Sequence, residues 1–489
     1  MRSSAPSEYR EGSAPHRVTV VWQVIALRPE VPAMTRENAA DPPVARPAPL
    51  PRLWRATRER FLPSFAHPNF GRLWRANAGA MTAHFVQFLA QGWLVVELTN
   101  SPFTLGLLSF FMSLPMLVLS PVGGLLADRL NRPRLLMMAQ SVNGLTALTI
   151  GALVATGVIA VWHLAISATL TGAMFALSVP ARYALISEAV PRTLVRNAVA
   201  LNATTMNLAR VIGPALAGLI VGAAGIAAAY FTMVGGYVWS ILNVRRIDAD
   251  EHRPRAQGSP VAILRAGFVY VLSHGPIRSL MVLTLAPALF SYPLTMLLPA
   301  FVKQDLQAGV QDLGLVTSAL GAGAVLGALA LVAAPEVRRP GRLAIAAIVI
   351  NGALYVVLSF TRFLPFVALV LACVGMFQGI HMALSQTIVQ LLVPAHMRGR
   401  VMAVWMINWG LMPLGLLPLS AAAERLGTPV AMAIGGSLSL CVGVFVALWG
   451  RQLWGLTAAG MHAAEEPSGS TTLDQSESQA PRAEVAARD

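Results

Sequence analysis

Charge is the scarcest property of this chain. Only 12% of its 489 residues are Asp, Glu, Lys or Arg, against about a quarter in soluble domains. With 55% hydrophobic residues and a mean hydropathy of +0.62, too little polar surface exists to clothe a globule, which excludes a water-soluble enzyme. Cysteine is nearly missing: Cys373 and Cys441 both lie in apolar runs, so neither a disulfide framework nor a cysteine zinc site is available. Lys303 is the only lysine, and it follows Leu-Leu-Pro-Ala-Phe-Val instead of a glycine-rich loop, which excludes a Walker-type ATPase. No loop gathers carboxylates, His or Cys, and HExxH-type and paired-Asp motifs are lacking, so no cofactor and no metal are expected.

Long apolar runs are what the chain does have. A membrane-crossing helix needs about 20 mostly apolar residues, and twelve stretches qualify: 76–98, 103–127, 134–157, 159–181, 198–222, 225–244, 279–302, 313–334, 343–361, 364–390, 401–422 and 428–450. They lack period-2 alternation, which excludes an outer-membrane barrel. The expected fold is an all-α integral membrane protein. The net charge of +14 follows the connections. Those on the side of the N-terminus carry seventeen arginines, whereas the opposite connections carry only Lys303, Arg362 and Arg425. By the positive-inside rule both termini are cytoplasmic, in the plasma (inner) membrane, and the charge reflects topology, with no nucleic-acid partner.

The expected organisation is a basic Pro/Arg-rich tail (1–70), a six-helix bundle (71–246), a cytoplasmic linker (247–276), a second six-helix bundle (277–452) and a disordered, acid- and Ser-rich tail (453–489). Residues 52–62 mix Arg with Leu, Trp and Phe and fit either an anionic membrane surface or a solvated tail. Met34 is an alternative start. The halves share a pattern. Leu105-Gly106-Leu107 recurs as Leu313-Gly314-Leu315 at an offset of 208, as do Asp128 with Glu336 and Arg134 with Arg342; Gly172 recurs as Gly379 at 207. Duplicated halves around a linker describe a transporter with its cavity between them.

The loop after the second span, Gly124-Leu125-Leu126-Ala127-Asp128-Arg129-Leu130-Asn131-Arg132-Pro133-Arg134, resembles the signature Gly-xxx-Asp-Arg-x-Gly-x-Arg-Arg of the major facilitator superfamily. Asn131 stands where the family has Gly, and is expected to adopt the left-handed backbone that Gly would supply. Further features are Asn69-Phe70-Gly71-Arg72-Leu73-Trp74, Pro180-Ala181-Arg182, Asn207-Leu208-Ala209-Arg210 continuing to Gly218, and Met397-Arg398-Gly399-Arg400. Together these look like the transmembrane secretion effector branch, with enterobactin-exporter-like and macrolide-efflux-like members, over residues 69–452. The resemblance implies proton-driven export of small amphipathic molecules by a monomer in the lipid bilayer, with protons and the substrate as partners.

It also suggests roles for residues. Asp128, with Arg129, Arg132 and Arg134, is expected to latch against the start of span 11 near Arg398 and Arg400, where a helix N-terminus adds positive charge. By the pseudo-twofold, Glu336 is expected to face the start of span 5 near Arg196. Arg182, at the inner end of span 4, is either a cytoplasmic gate or a boundary anchor. Gly213, Pro214 and Gly218 resemble the antiporter motif, a seam between halves, although such patterns are common in membrane helices. Arg210 is the deepest charge. Its candidate partners are backbone carbonyls, Asn207, Asp128 or an anionic substrate group. No acid lies mid-span, which leaves His84 and His381 as titratable groups for proton coupling or as packing residues. Gln87 and Gln91 extend a polar stripe from His84, and Gln378 and Gln386 flank His381 more loosely. Other readings are lysolipid movement by the same fold, an integral membrane enzyme and a membrane receptor.

Overall fold

The structure, a computed structural model, describes residues 62–247, 260–334 and 337–457, with the side chains at 120–129, 260–263, 395–396, 406 and 408–409 left out. The basic stretch 52–61, Met34, Glu336, the C-terminal tail from 458 and the Asp128 and Arg129 side chains therefore lie outside the described residues.

The described chain is helical, without a strand: α1 Pro68–Thr99, α2 Pro102–Arg129, α3 Arg132–Ala155, α4 Val161–Glu188, α5 Val195–Val244, α6 Pro260–Ser273, α7 Gly275–Asp305, α8 Val310–Ala333, α9 Pro340–Ser359, α10 Leu364–Leu392, α11 Ala395–Gly410, α12 Met412–Leu426 and α13 Thr428–Trp449. Proline within the first two positions starts most of them, where its missing N–H costs nothing. Among the described residues, nine helical segments are long and apolar enough to cross a membrane. The twelve expected stretches reduce to nine for three local reasons. Helix α1 is diluted by Arg72, Arg75, His84, Gln87 and Gln91; α5 runs through two stretches; and the eleventh stretch is divided between α11 and α12. Helix α5 turns at Gly225, whose φ of 82° needs a residue without a Cβ.

Two local expectations change. Asn131 has φ −65° and ψ 113°, an extended and not a left-handed backbone. Its side-chain oxygen accepts the Arg134 N–H at 3.2 Å, so it is the N-cap of α3, with Pro133 in the first turn. Asn at this N-cap adds a side-chain acceptor that glycine lacks. Helix α4 also continues past Pro180 to Glu188, which puts Arg182 inside the helix with only 6% exposure.

The helices pack through glycines. A Cβ on Gly172 of α4 would fall on the Met112 carbonyl oxygen of α2, and one on Gly379 of α10 would fall on the Ala324 carbonyl of α8. Gly323 makes the same approach to Ala372. Large apolar side chains such as Leu145, Val332, Phe360 and Trp449 point outward, as a lipid-facing surface requires. Helix α6 packs its Gly267 on the Arg400 backbone and Val404 of α11.

Gly172→Leu and Gly323→Leu should each destabilise the fold by roughly 1–3 kcal/mol, the usual cost of overpacking. Gly157→Asn, at an exposed φ of 74° with no neighbour within 4 Å, should be neutral. Thermal melts of the purified protein in detergent check both; unchanged melting for the two leucine variants would refute the close approach.

Candidate functional site

Three hydrophobic clusters define the site. One joins residues from both halves, including Leu89, Val96, Leu105 and Val221 with Leu298, Phe301, Val310 and Leu416. It lies at the helix ends opposite the arginine-rich connections. At the arginine-rich end the clusters are separate: Phe70, Leu73, Leu185 and Val244 pack within the first half, and Ile277, Ile388, Val404 and Leu453 within the second. Between them is a central cavity of about 350 Å³.

At the shared end the halves are joined through backbone approach and hydrogen bonds. Gly218 of α5 meets the Gly314 Cα and the Val310 carbonyl of α8 so closely that a Cβ would stand 3.0 Å from each, and Gly314 meets the Pro214 carbonyl. Gly213 does not reach the other half; it packs on Phe85 of α1. Glu424, at the end of α12, accepts the Ser101 hydroxyl at 2.9 Å and the Phe103 N–H at 3.1 Å, capping the start of α2. Gln304 Nε2 donates to the Asn100 carbonyl at 2.8 Å. Sequence reasoning passed over the Glu424 and Gln304 contacts because each joins residues more than 200 positions apart.

Both halves line the cavity. Helix α1 supplies His84, Phe85, Gln87, Phe88 and Gln91; α2 supplies Met112 and Met116; α5 supplies Arg210 and Pro214; and α7, α8 and α10 supply Tyr292, Thr317, Met382 and Gln378. Helix α7 is irregular here. It has π-helical turns at Pro287–Ser291 and Phe301–Asp305, and prolines at 287, 293 and 299 interrupt its ladder of hydrogen bonds.

Most of the expected polar stripe converges. The His84 ring stacks on Phe175 with centroids 5.4 Å apart. Gln87 donates to Thr171 at 3.2 Å and Gln91 at 3.4 Å, and it accepts the Tyr237 hydroxyl at 3.3 Å. Gln378 donates to the Tyr355 hydroxyl at 3.4 Å. His381 turns away: it is 2% exposed, lies 3.4 Å from both the Ala344 carbonyl and Ser385, and borders a separate small cavity with Trp405. Gln386 is exposed on the outside of α10. Arg210 has the Phe85 ring 6.0 Å from its Cζ and Tyr292 within electrostatic reach. Arg182 is buried and acts electrostatically on His84; it donates to the Met81 sulfur at 3.5 Å, and its Nε is unpartnered.

The remaining latch residues are dispersed. Arg132 pairs with Glu188 at the end of α4, within one half, a contact the sequence did not suggest. Arg134, Arg196 and Arg400 are exposed, and Arg398 is half-buried with Nε unpartnered. Among the described residues no group of three or more His, Cys, Asp or Glu could hold a metal.

The cavity lies among apolar helices, and the family match, the relatives and the fold together make this a membrane transporter of the major facilitator type, not an enzyme. The chain belongs to the transmembrane secretion effector family, which it matches over residues 60–473. It is 28% identical to the multidrug efflux pump Tap of Mycobacterium tuberculosis over 366 residues, 71% of this chain and 86% of Tap. It is 26% identical to the enterobactin exporter EntS of Shigella boydii over 340 residues, 66% of this chain and 79% of EntS. A bacterial homologue of the lysosomal transporter Spinster, solved inward-facing and unoccupied, has the same fold, with TM-score 0.59 and 13% identity over 81% of this chain and 96% of that one.

Glu424→Ala should lower the melting stability by about 0.5–2 kcal/mol, the usual worth of an N-cap, and Glu424→Gln should recover part of it. Equal melting of wild type and Glu424→Ala would show that the cap carries no weight.

Proposed function

We propose that the protein is a secondary active exporter of small amphipathic molecules, of drug or siderophore type, from the cytoplasm. It works by alternating access and proton antiport. In this reading twelve spans form two pseudo-symmetric halves, 71–246 and 277–452, joined by the linker 247–276, with both termini cytoplasmic in the plasma membrane. The protein acts as a monomer in the lipid bilayer.

The observation that carries the reading is the asymmetry of the cores. One cluster unites the halves at one end, while two separate clusters divide them at the other. A cavity closed on one side and divided on the other supports an inward-facing state. Rocking would break the Glu424 and Gln304 contacts and close the arginine-rich end, where Asp128 would latch onto the start of α11 and Glu336 onto the start of α5 near Arg196. Gly218 and Pro214 act as the seam that the halves roll on. Among the titratable groups, His84 is the proton carrier in this reading because it borders the cavity, unlike His381. The relatives' printed roles, multidrug efflux and enterobactin export, support the direction and the cargo class.

Inverted membrane vesicles carrying the full chain, energised and challenged with macrolides, catechol siderophores and cationic dyes, test this. Substrate should collapse the pH gradient, His84→Ala should abolish that response, and Asp128→Asn should slow it while leaving insertion intact. No response across the panel from folded protein would sink the export reading and favour lysolipid movement. A normal response from His84→Ala would remove the proton role of that residue.

A further inference from the structure

The cavity's electrostatics are one-sided. Among the described residues that border it none is Asp or Glu, yet Arg210 enters it from α5 and Arg182 acts electrostatically on His84. The acids with described side chains sit elsewhere, at helix ends: Glu424 and Asp312 cap α2 and the start of α8, Glu188 pairs with Arg132, Asp305 pairs with Arg362, and Glu97 stands near the end of α1. Among the described residues Arg210 makes no hydrogen bond or ion pair. Its stem is fixed by Gly321 of α8, where a Cβ would stand 2.8 Å from the Arg210 carbonyl and 3.4 Å from its Cγ. An intramembrane guanidinium held this way is expensive unless something neutralises it. Hydrogen bonding to a neutral cargo would satisfy its donors only in part, and a cationic cargo would meet like charge in a poorly screened space. The rest of the wall, Phe85, Phe88, Phe175, Met112 and Met382, is apolar and adaptable.

We propose that the central cavity recognises amphipathic organic anions, with the Arg210 guanidinium holding the anionic oxygens and the aromatic and methionine wall holding the apolar body. This rests on the export reading for its biological sense and names the cargo's charge. The planar fork of Arg pairs with a carboxylate or catecholate through two hydrogen bonds, which a lysine cannot reproduce. Arg182 makes no contact with the cargo and adds to the same positive field.

The test is binding to the purified full-length protein in lipid nanodiscs, with pyrenebutyrate and fusidate each compared with its methyl ester, and rhodamine 6G as the cation. The acids should bind roughly ten- to hundredfold more tightly than their esters, the range of a charge-assisted hydrogen-bonded pair. Arg210→Gln should erase that preference while leaving ester binding and thermal melting close to wild type, and Arg210→Lys should retain part of it. Equal affinity for acid and ester, preference for rhodamine 6G, an equal loss of both forms in Arg210→Gln, or no binding of either acid at millimolar concentration would each overturn the proposal. The vesicle assay judges export separately. Gradient collapse by any compound sustains export even if no anion preference exists, and a preference without collapse leaves the site standing while export fails.

Discussion

A hydrocarbon environment offers the peptide backbone no hydrogen-bond partner, so each segment that enters it must satisfy its own N–H and C=O groups within a helix. Everything else in this protein follows from that constraint. Once the helices have formed, burying Leu against Leu gains little over burying it against lipid, and association depends on how closely the backbones approach. That is why the crossings are marked by Gly172, Gly323 and Gly379, each set against a neighbouring carbonyl. Apolar side chains are left to face outward, as Phe360 and Trp449 do.

The same constraint limits where irregular backbone can occur. Helix α7 departs from α-geometry at Pro287–Ser291 and Phe301–Asp305, and the residues between those turns, Tyr292, Thr295, Met296 and Pro299, border the cavity. A loosened ladder is tolerated there because the groups it frees face protein and cavity instead of lipid. The opposite wall is built from regular helices whose polar residues satisfy one another, as Gln87 does with Thr171, Gln91 and Tyr237.

The contacts between the halves combine backbone approaches, such as Gly218 to Gly314 and Gly321 to Arg210, with hydrogen bonds at helix ends. Within a half, glycine crossings and buried side-chain pairs such as Asn77 with Asn202 hold the helices in fixed register. Between halves, the hydrogen bonds are few and lie at the helix termini, where Glu424 caps α2 and Gln304 reaches Asn100. Such terminal contacts are exposed and inexpensive to exchange, whereas an internal crossing is not.

Much of the architecture was legible in the sequence because it depends on composition over long windows. Apolar runs near 20 residues, arginine placement, and the repeat relating Gly172 to Gly379 each average over many positions. The family resemblance rested on contiguous motifs such as Asp128 to Arg134, and the family match agrees with it. The polar stripe of His84, Gln87 and Gln91 was legible too, since one-turn spacing fixes a shared face on a helix. What the sequence could not determine was which faces meet. Helix α4 runs through Pro180 and buries Arg182, His381 turns from the cavity that Gln378 enters, and Asn131 caps a helix instead of taking a left-handed turn. Each of these depends on rotation about a helix axis or on a hydrogen-bond partner, quantities set by neighbours far away in the chain. The sequence by itself determined that this is a helical membrane protein; only the tertiary structure decided that Arg210 opens into the central cavity, because that position is created by packing α5 against α1 and α8.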